Sequence, residues 1–194
     1  MGFSSIWHWI IVLVIVGIVI WAIIRWSKKN EKIIVDEDGN EVRSGLGGWL
    51  TLVGLGVVLS PLRLLAEVPS SFLPIFNDGT YAFLTTPGTE AYHPFWSVFI
   101  WGEISFNTVI FVASLYLAYL YFSKKTLFPK FYIWIAVGSL AFILLDAVLI
   151  KVVLPNEPIF APDTIKEVAR SGIVILVWVP YMLLSKRVKA TFIN

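Results

Sequence analysis

Ionisable side chains inside long apolar stretches are the residues of this chain that could do chemistry. The segment FWSVFIWGEISFNTVIF, residues 95–111, carries one carboxylate, Glu103, and an amide, Asn107, four residues later. An isolated charge at the centre of a bilayer costs about 2.5–3.5 kcal/mol on insertion scales, so such residues mark candidate sites. The same criterion, applied to the whole chain, gives a candidate ligand or ion-pair cluster: Arg63, Glu67, Glu103, Asn107, Asp146, Lys151 and Arg170.

The six charged members of this cluster lie at similar depths in their apolar stretches. With a helical rise of about 1.5 Å per residue, Glu103 falls roughly 14 Å from the outer end of its helix. Balanced signs at one level predict that the charges face one another across the bundle. We expect Glu103 to pair with Arg170 or with Arg63. Asp146 is then expected to pair with the remaining arginine or with Lys151.

Two interpretations of this cluster stay open at the level of sequence. In the first, ion pairs hold four helices in register, because each charge left alone would be costly. In the second, the cluster lines a cavity that opens to the outer face and takes protons or a polar headgroup. Ionisable residues inside a membrane raise the weight of this second interpretation.

Five apolar blocks must carry these residues. The chain is 58% hydrophobic and 14% charged, whereas a soluble domain has about 45–50% apolar and roughly 25% charged residues. The blocks occupy residues 6–24, 45–66, 94–122, 131–154 and 172–184. The last helix is expected to start earlier, capped by Asp163 or Thr164, with Thr164 and Glu167 forming a capping box. The sequence thus predicts an all-α integral membrane protein with five transmembrane helices.

Lysine and arginine residues predict the orientation of these helices. Five of them lie in residues 25–46 and none in residues 67–93, while further groups follow the third and fifth blocks. We expect the N-terminus outside and the C-terminus inside. The first block lacks the basic start and cleavage site of a signal peptide, so we expect an uncleaved anchor.

The same pattern predicts three parts of the chain. Residues 1–26 form an N-terminal transmembrane anchor, and residues 27–46 form a cytoplasmic linker or hairpin. A hairpin would turn at the two residues Asp38 and Gly39. Residues 47–194 form a four-helix membrane domain with an outer loop at 67–93.

Composition and motifs argue against several classes of function. The chain has no cysteine, which removes disulfides, thiolate catalysis and iron–sulfur clusters. Its net charge of +2 provides no basic face for nucleic acid. The two histidines, His8 and His93, lack partners that would complete a metal site, and no nucleophile or phosphate-loop motif is present. We therefore expect no enzyme activity, no cofactor and no metal.

Small residues and the basic tail have structural explanations. Gly48, Gly54, Gly56 and Ser60 are expected to allow close packing between helices. The tail SKRVKATFIN either stops the last span on the inner side of the membrane or binds a cytoplasmic partner. The residues of such a partner motif would be Ser185, Arg187, Lys189 and Phe192.

Three stretches carry a family resemblance: GLGGWLTLVGLGVVLSPLRLL, GEISFNTV and WVPYMLLSKRVKATF. They resemble the YdgK-like bacterial inner-membrane proteins, a family called domain of unknown function 2569, over about residues 45–193. The resemblance implies a four-helix membrane unit and no assigned activity. It places family-motif positions at Trp49, Glu103, Asn107, Pro180, Tyr181, Ser185, Arg187, Val188, Thr191 and Phe192. The start, MGFSSIWHWIIVLVIV, separately resembles the anchor of the A-type subunit of the twin-arginine translocase, without its Phe-Gly hinge.

Taken together, these patterns favour a non-enzymatic, multi-pass protein of the bacterial inner (plasma) membrane. We expect an accessory or assembly subunit of a larger membrane complex, because the loops are small and the first span is an added helix. Its expected partners are membrane lipids and other integral membrane proteins, with no nucleic acid. The alternative is a small transporter or lipid-binding module that uses the outer polar cluster.

Overall fold

The computed structural model describes residues 31–35, 39–156 and 158–194. Before Glu31 it describes only residues 14, 17, 18, 21, 22 and 25, all of them helical. The remainder of the predicted N-terminal anchor, including His8 and all but one residue of the stretch resembling a translocase anchor, lies outside the described residues.

A β-hairpin precedes the helices, as one of the two sequence interpretations predicted, but its turn differs. Strand β1 (Lys32–Val35) pairs antiparallel with β2 (Glu41–Ser44), and Val35 lies opposite Glu41. Because Val35 pairs with Glu41, the five residues 36–40 connect the strands, and five is an odd number. The predicted two-residue turn at Asp38 and Gly39 is therefore wrong, because such a turn needs an even connection.

Helices make up most of the described chain. They are α1 (Trp49–Asn77), α2 (Thr80–Thr85), α3 (Trp96–Phe122), α4 (Phe128–Val153), α5 (Pro162–Leu184) and α6 (Lys186–Thr191). Among the described residues, four helices are long and apolar enough to cross a membrane: α1, α3, α4 and α5. The prediction of a mainly helical, multi-pass membrane protein is confirmed at this level.

The predicted end of α1 and the predicted cap of α5 are wrong, whereas the early start of α5 is confirmed. Helix α1 continues past Ala66 to Asn77, so the first part of the predicted outer loop 67–93 is helical. It runs through Pro69 and Pro74, which membrane helices tolerate because neighbouring groups satisfy the freed carbonyls. Helix α5 begins at Pro162, and no side chain caps it, so the predicted capping box is wrong. Proline suits the first helical position because its fixed φ is already helical and it has no N–H to satisfy.

The two ends of the bundle differ in construction. Helix α1 packs along α3, α4 packs along α5, and α3 and α4 join these two pairs. At one end, which we call the hairpin end, the Gly45 N–H donates to Thr191 Oγ1 at 2.9 Å and the Thr126 N–H donates to the Asn194 carbonyl at 2.9 Å. The hairpin, the α3–α4 connection and the C-terminal tail therefore meet there. The opposite end, the loop end, contains residues 78–95.

The buried core of the described chain lies mainly towards the hairpin end. Tyr121 of α3 is fully buried among the core side chains, and its hydroxyl donates to the Leu50 carbonyl at 2.7 Å. A Cβ placed on Gly54 would lie 2.5 Å from the Tyr121 oxygen. The prediction that Gly54 allows close helix packing is thus confirmed, whereas Gly56 faces open space and does not serve that purpose.

Candidate functional site

A cavity of about 310 Å³ lies among all four long helices in the loop-end half of the bundle. We call it the polar cavity, because carboxylates, an amide and a hydroxyl interrupt its apolar wall. Its volume lies at the lower limit of ordinary ligand sites, which run from about 300 to 1,000 Å³. The polar residues that line it are Glu67, Ser71, Glu103, Asn107, Asp146 and Glu167.

Helical spacing explains why these side chains share one cavity. Glu103 and Asn107 of α3 are four residues apart and therefore lie on one face of their helix. The same spacing on α4 brings Asp146 next to Phe142. The rings of Phe106 and Phe142 stack with centroids 3.5 Å apart and planes at 3°. This stack holds α3 against α4 in the wall of the cavity.

The carboxylates of Glu103 and Asp146 do not have the partners that the sequence analysis expected. Among the described residues, neither side chain forms an ion pair. The charges that act most closely on Glu103 belong to Asp146 and Glu167, which have the same sign. The predicted pairing of Glu103 with an arginine, and of Asp146 with a second cation, is therefore wrong.

Two of the three expected cations, Arg63 and Lys151, form contacts within their own chain segments instead. Arg63 Nε lies 2.7 Å from Glu67 Oε1, one turn further along α1. Lys151 Nζ donates to the carbonyl of Pro155 at 2.8 Å, just beyond the end of α4. The charge of Arg170 acts on Glu67. Partners four residues apart are already neighbours, whereas a bond across the bundle would require long side chains to bridge the cavity.

The amide of Asn107 is held by its own helix. Its Nδ2 donates to the backbone carbonyl of Glu103 at 2.9 Å. Asn107 therefore does not neutralise or bind the Glu103 carboxylate, although both residues line the cavity. The carboxylate of Glu103 remains the charged group of α3 at this level.

A second cavity of about 410 Å³ adjoins the first between α3 and α4. We call it the apolar groove, because aromatic and aliphatic side chains form nearly all of its wall. Glu103, Phe142 and Asp146 line both cavities, so they form the boundary between the two. The arrangement places two carboxylates at the junction of an apolar space and a polar one.

Gly102 makes room for the apolar groove. It lines the groove, and a Cβ added there would meet nothing within 4 Å. Several groove side chains are also exposed at the surface of the bundle, including Val98 at 65% and Leu145 at 55%. In a membrane this surface faces the hydrocarbon, so the groove opens laterally towards lipid.

The short helix α2 is tied to the loop end of α3. The Tyr81 hydroxyl lies 3.1 Å from Ser97 Oγ. Trp101 Nε1 donates a second hydrogen bond to the Tyr81 hydroxyl at 3.2 Å. These hydrogen bonds, first from Ser97 and then from Trp101, lower the pKa of Tyr81 from its ordinary value. The contacts fix the loop end beside the first turns of α3, which lead to the groove.

The predicted partner motif in the tail makes mostly internal contacts. Ser185 Oγ accepts from the Val188 N–H at 3.4 Å, and Phe192 is buried in the core. Arg187 bonds Glu31 at 2.6 Å and donates to the Gly45 carbonyl at 3.1 Å. Of the four predicted residues, only Lys189 is exposed. The tail therefore closes the hairpin end of the bundle.

The part of the chain that the structure describes contains no group of three or more histidine or acidic side chains placed to hold a metal ion. His93 lies at the loop end, where its Nδ1 accepts from the Phe95 N–H at 3.3 Å. The carboxylates around the polar cavity come from four helices and do not converge on a single point. The site is suited to a ligand that occupies the space between them.

Glu167 is a member of the site that the sequence analysis missed. It was assigned to the capping box of α5, whereas the structure places it in the wall of the polar cavity. Its position three residues before Arg170 was the available signal, because residues three apart lie on one side of a helix. Because Ala161 and not Thr164 occupies the N-cap position of α5, Glu167 has no capping role.

Four apolar helices around a shared pair of cavities define a multi-pass helical membrane protein with an internal site. The chain belongs to the DUF2569 family, described as a protein of unknown function, whose family model matches residues 43–193. No curated protein and no solved structure matches the chain. The family match covers all four long helices and the last two residues of β2, and it assigns no activity.

Proposed function

We propose that this protein is a membrane-embedded binding module, of the small-transporter or lipid-binding kind, whose polar cavity takes a positively charged ligand group. The observation that carries the proposal is the set of carboxylates facing one cavity from different helices. Among the described residues, no lysine or arginine lines that cavity. The site therefore has an excess of negative charge that a ligand can balance.

The physical argument concerns the cost of unbalanced charge. An ionised carboxylate in an apolar environment is stable only when a partner or a proton compensates it. Glu67 has Arg63 as a partner, but Glu103 and Asp146 form no ion pair within the described chain. A bound proton or a bound cation is left to compensate them. Cation binding with proton release is the ordinary chemistry of carboxylates inside membrane transporters.

The test measures whether small organic cations stabilise the purified protein. The protein is placed in uncharged-lipid nanodiscs, and its Tm is followed as methylammonium replaces sodium at constant ionic strength. A ligand that binds only the folded state raises Tm with its concentration. We expect a rise for the wild type, and we expect Glu103→Gln and Asp146→Asn to lose it.

The control is Glu90→Gln, which removes a carboxylate from the loop end and not from either cavity. This variant should respond to methylammonium as the wild type does. A Tm that is independent of methylammonium in the wild type would contradict the proposal. So would an equal rise in all four proteins, because that result indicates an effect of the solvent and not of the site.

An accessory-subunit role, which the sequence favoured, is the second candidate. The observation in its support is strand β1, whose outer edge has no partner strand in the described sheet. Ile33 and Val35 on this strand are 64% and 67% exposed. An exposed apolar edge strand can pair with a strand of another chain.

The subunit role is tested by quantitative co-purification from gently solubilised membranes. A partner that docks on β1 should be recovered in stoichiometric amount with the wild type and lost with Ile33→Asp. Arg43→Asp, a change of charge on the neighbouring strand, is the control. Recovery of the same partner with Ile33→Asp would exclude the edge strand as the contact.

The orientation of the spans is proposed from the distribution of lysine and arginine, and the location from the family resemblance. The proposal includes five spans, an external N-terminus, and the inner membrane of a bacterium, as in the YdgK-like proteins that the sequence resembles. Since the chain has no cysteine, single cysteines introduced at Gly39 and Gly88 can be labelled without background. An impermeant thiol reagent added outside should label position 88 and not position 39.

A further inference from the structure

We infer that the ligand is a lipophilic organic cation, an apolar body carrying one positive charge. The body would occupy the apolar groove, and the charge would face Glu103 and Asp146 at its junction with the polar cavity. This inference rests on the proposed cation-binding function and specifies the chemical class of its ligand. It draws on the groove, which the proposed function does not use.

The size and composition of the groove support an apolar body. At about 410 Å³ the groove is larger than the polar cavity and falls within the ordinary range for small-molecule sites. Phe95, Phe99 and Phe142 provide aromatic surface in its wall. Aromatic faces attract organic cations through the ring quadrupole, and this attraction strengthens when water is excluded.

The carboxylates at the junction of the two cavities select the sign of the ligand's charge. Glu103 and Asp146 line both cavities, and among the described residues neither cavity is lined by a lysine or an arginine. An anion of the same shape would meet two carboxylates without a compensating group. Charge complementarity therefore favours a cation and excludes its anionic analogue.

The position of the groove predicts the route of entry. It lies between α3 and α4 and is lined by side chains exposed on the outside of the bundle, such as Val98 and Leu145. A solute dissolved in the hydrocarbon can reach it without crossing the loop end. Gly102 lines the groove, and a Cβ added there would meet nothing within 4 Å, so a larger side chain at this position has open space to occupy.

The experiment uses tetraphenylphosphonium as the probe and tetraphenylborate as its anionic counterpart of nearly equal shape. Binding to the full chain in nanodiscs is measured by equilibrium dialysis. We expect saturable binding of the cation at one site per chain and none of the anion. Glu103→Gln should weaken cation binding by at least about tenfold, because truncating one partner of a desolvated charge pair is costly.

Two glycine variants test the groove itself. Gly102→Trp should abolish tetraphenylphosphonium binding by filling the groove. Gly138→Trp is the matched control. A Cβ added at Gly138 also meets nothing within 4 Å, and Gly138 lines neither cavity. It should bind the probe as the wild type does. Gly102→Leu provides a smaller change if the tryptophan variant does not fold, and it should weaken binding.

The outcomes separate this inference from the proposed function. Equal binding of the cation and the anion, or unchanged binding in a folded Gly102 variant, would overturn the inference. Absence of tetraphenylphosphonium binding would also overturn it, and the methylammonium response would then decide the proposed function alone. Loss of both responses in the wild type would reject both.

Discussion

The contact between Gly54 and Tyr121 gives the sharpest prediction of stability. A Cβ at Gly54 would lie 2.5 Å from the Tyr121 oxygen, 2.8 Å from Cζ and 2.9 Å from Cε1. Tyr121 cannot move away easily, because it is fully buried and its hydroxyl donates to the Leu50 carbonyl at 2.7 Å. Its ring also packs against Phe128 and Phe192. We therefore expect Gly54→Ala to push α1 away from α3.

The magnitude follows from two costs. Overpacking a well-packed core costs about 1–3 kcal/mol. Displacing the Tyr121 hydroxyl from its acceptor adds about 1–3 kcal/mol for a buried group left without a hydrogen bond. Alanine has a higher helix propensity than glycine, which stabilises the folded protein by up to about 1 kcal/mol and offsets part of these costs. With that gain subtracted, the expected net loss is about 1–5 kcal/mol in the free energy of unfolding.

The assay is reversible unfolding in mixed micelles, followed by tryptophan fluorescence. Gly56→Ala is the matched control, because it lies in the same helix and its added Cβ meets nothing within 4 Å. It should be neutral or slightly stabilising. Tyr121→Phe in the Gly54→Ala background should recover part of the loss, since it removes the closest atom and leaves Cζ. Equal stability of the two alanine variants would refute the argument.

Two further predictions concern the two ends of the molecule. Arg187→Ala should lower the free energy of unfolding by about 1.5–3 kcal/mol, as expected for lost hydrogen bonds to a charged group. Lys189 is exposed, so Lys189→Ala should change the free energy of unfolding little. The same unfolding assay compares the two variants. At the loop end, hydrogen bonds from Thr80 lower the pKa of Asp78. The stabilisation that these bonds provide is fully present above the pKa of the unfolded chain, about 3.9. It is lost as pH falls through the lower pKa of the folded protein. An NMR titration of the Asp78 carboxyl carbon should show a midpoint below 3.9, and Thr80→Ala should raise it; an unshifted midpoint in the wild type would contradict the role of Thr80.

The helical framework was largely predictable, because apolar blocks of membrane-spanning length have few alternatives. The errors in the helix ends arose where the signals that start or stop a helix compete with one another. The second apolar block was ended at Ala66, yet α1 runs on through Pro69 to Asn77, because proline within a membrane helix is tolerated. At α5 the sequence analysis relied on a capping box at Thr164, whereas the helix begins at Pro162, a residue suited to the first helical position.

The candidate site was predictable only in part of its membership, since the three predicted cations do not line the polar cavity and Glu167 was missed, and not in its contacts. Glu103, Asn107 and Asp146 line the polar cavity, as their depth suggested. The pairing failed because depth does not report the direction in which a side chain points around its helix. Arg63 illustrates the problem, since its level matched several carboxylates but its nearest acceptor was four residues away on α1.

The unequal packing of the two ends provides a physical reason for the position of the site. At the hairpin end, the Gly45–Thr191 bond and the buried Tyr121 fix α1, α3 and the tail together. The helices are then held at one end, so their other halves can stand apart around a cavity without loss of the fold. Carboxylates placed in the packed half would have to be paired or removed, because desolvation there would be complete. In the loop-end half they border open space, where a ligand can compensate them. Glu103 therefore lies at the junction of the polar cavity and the apolar groove, where the proposed cation would compensate its charge.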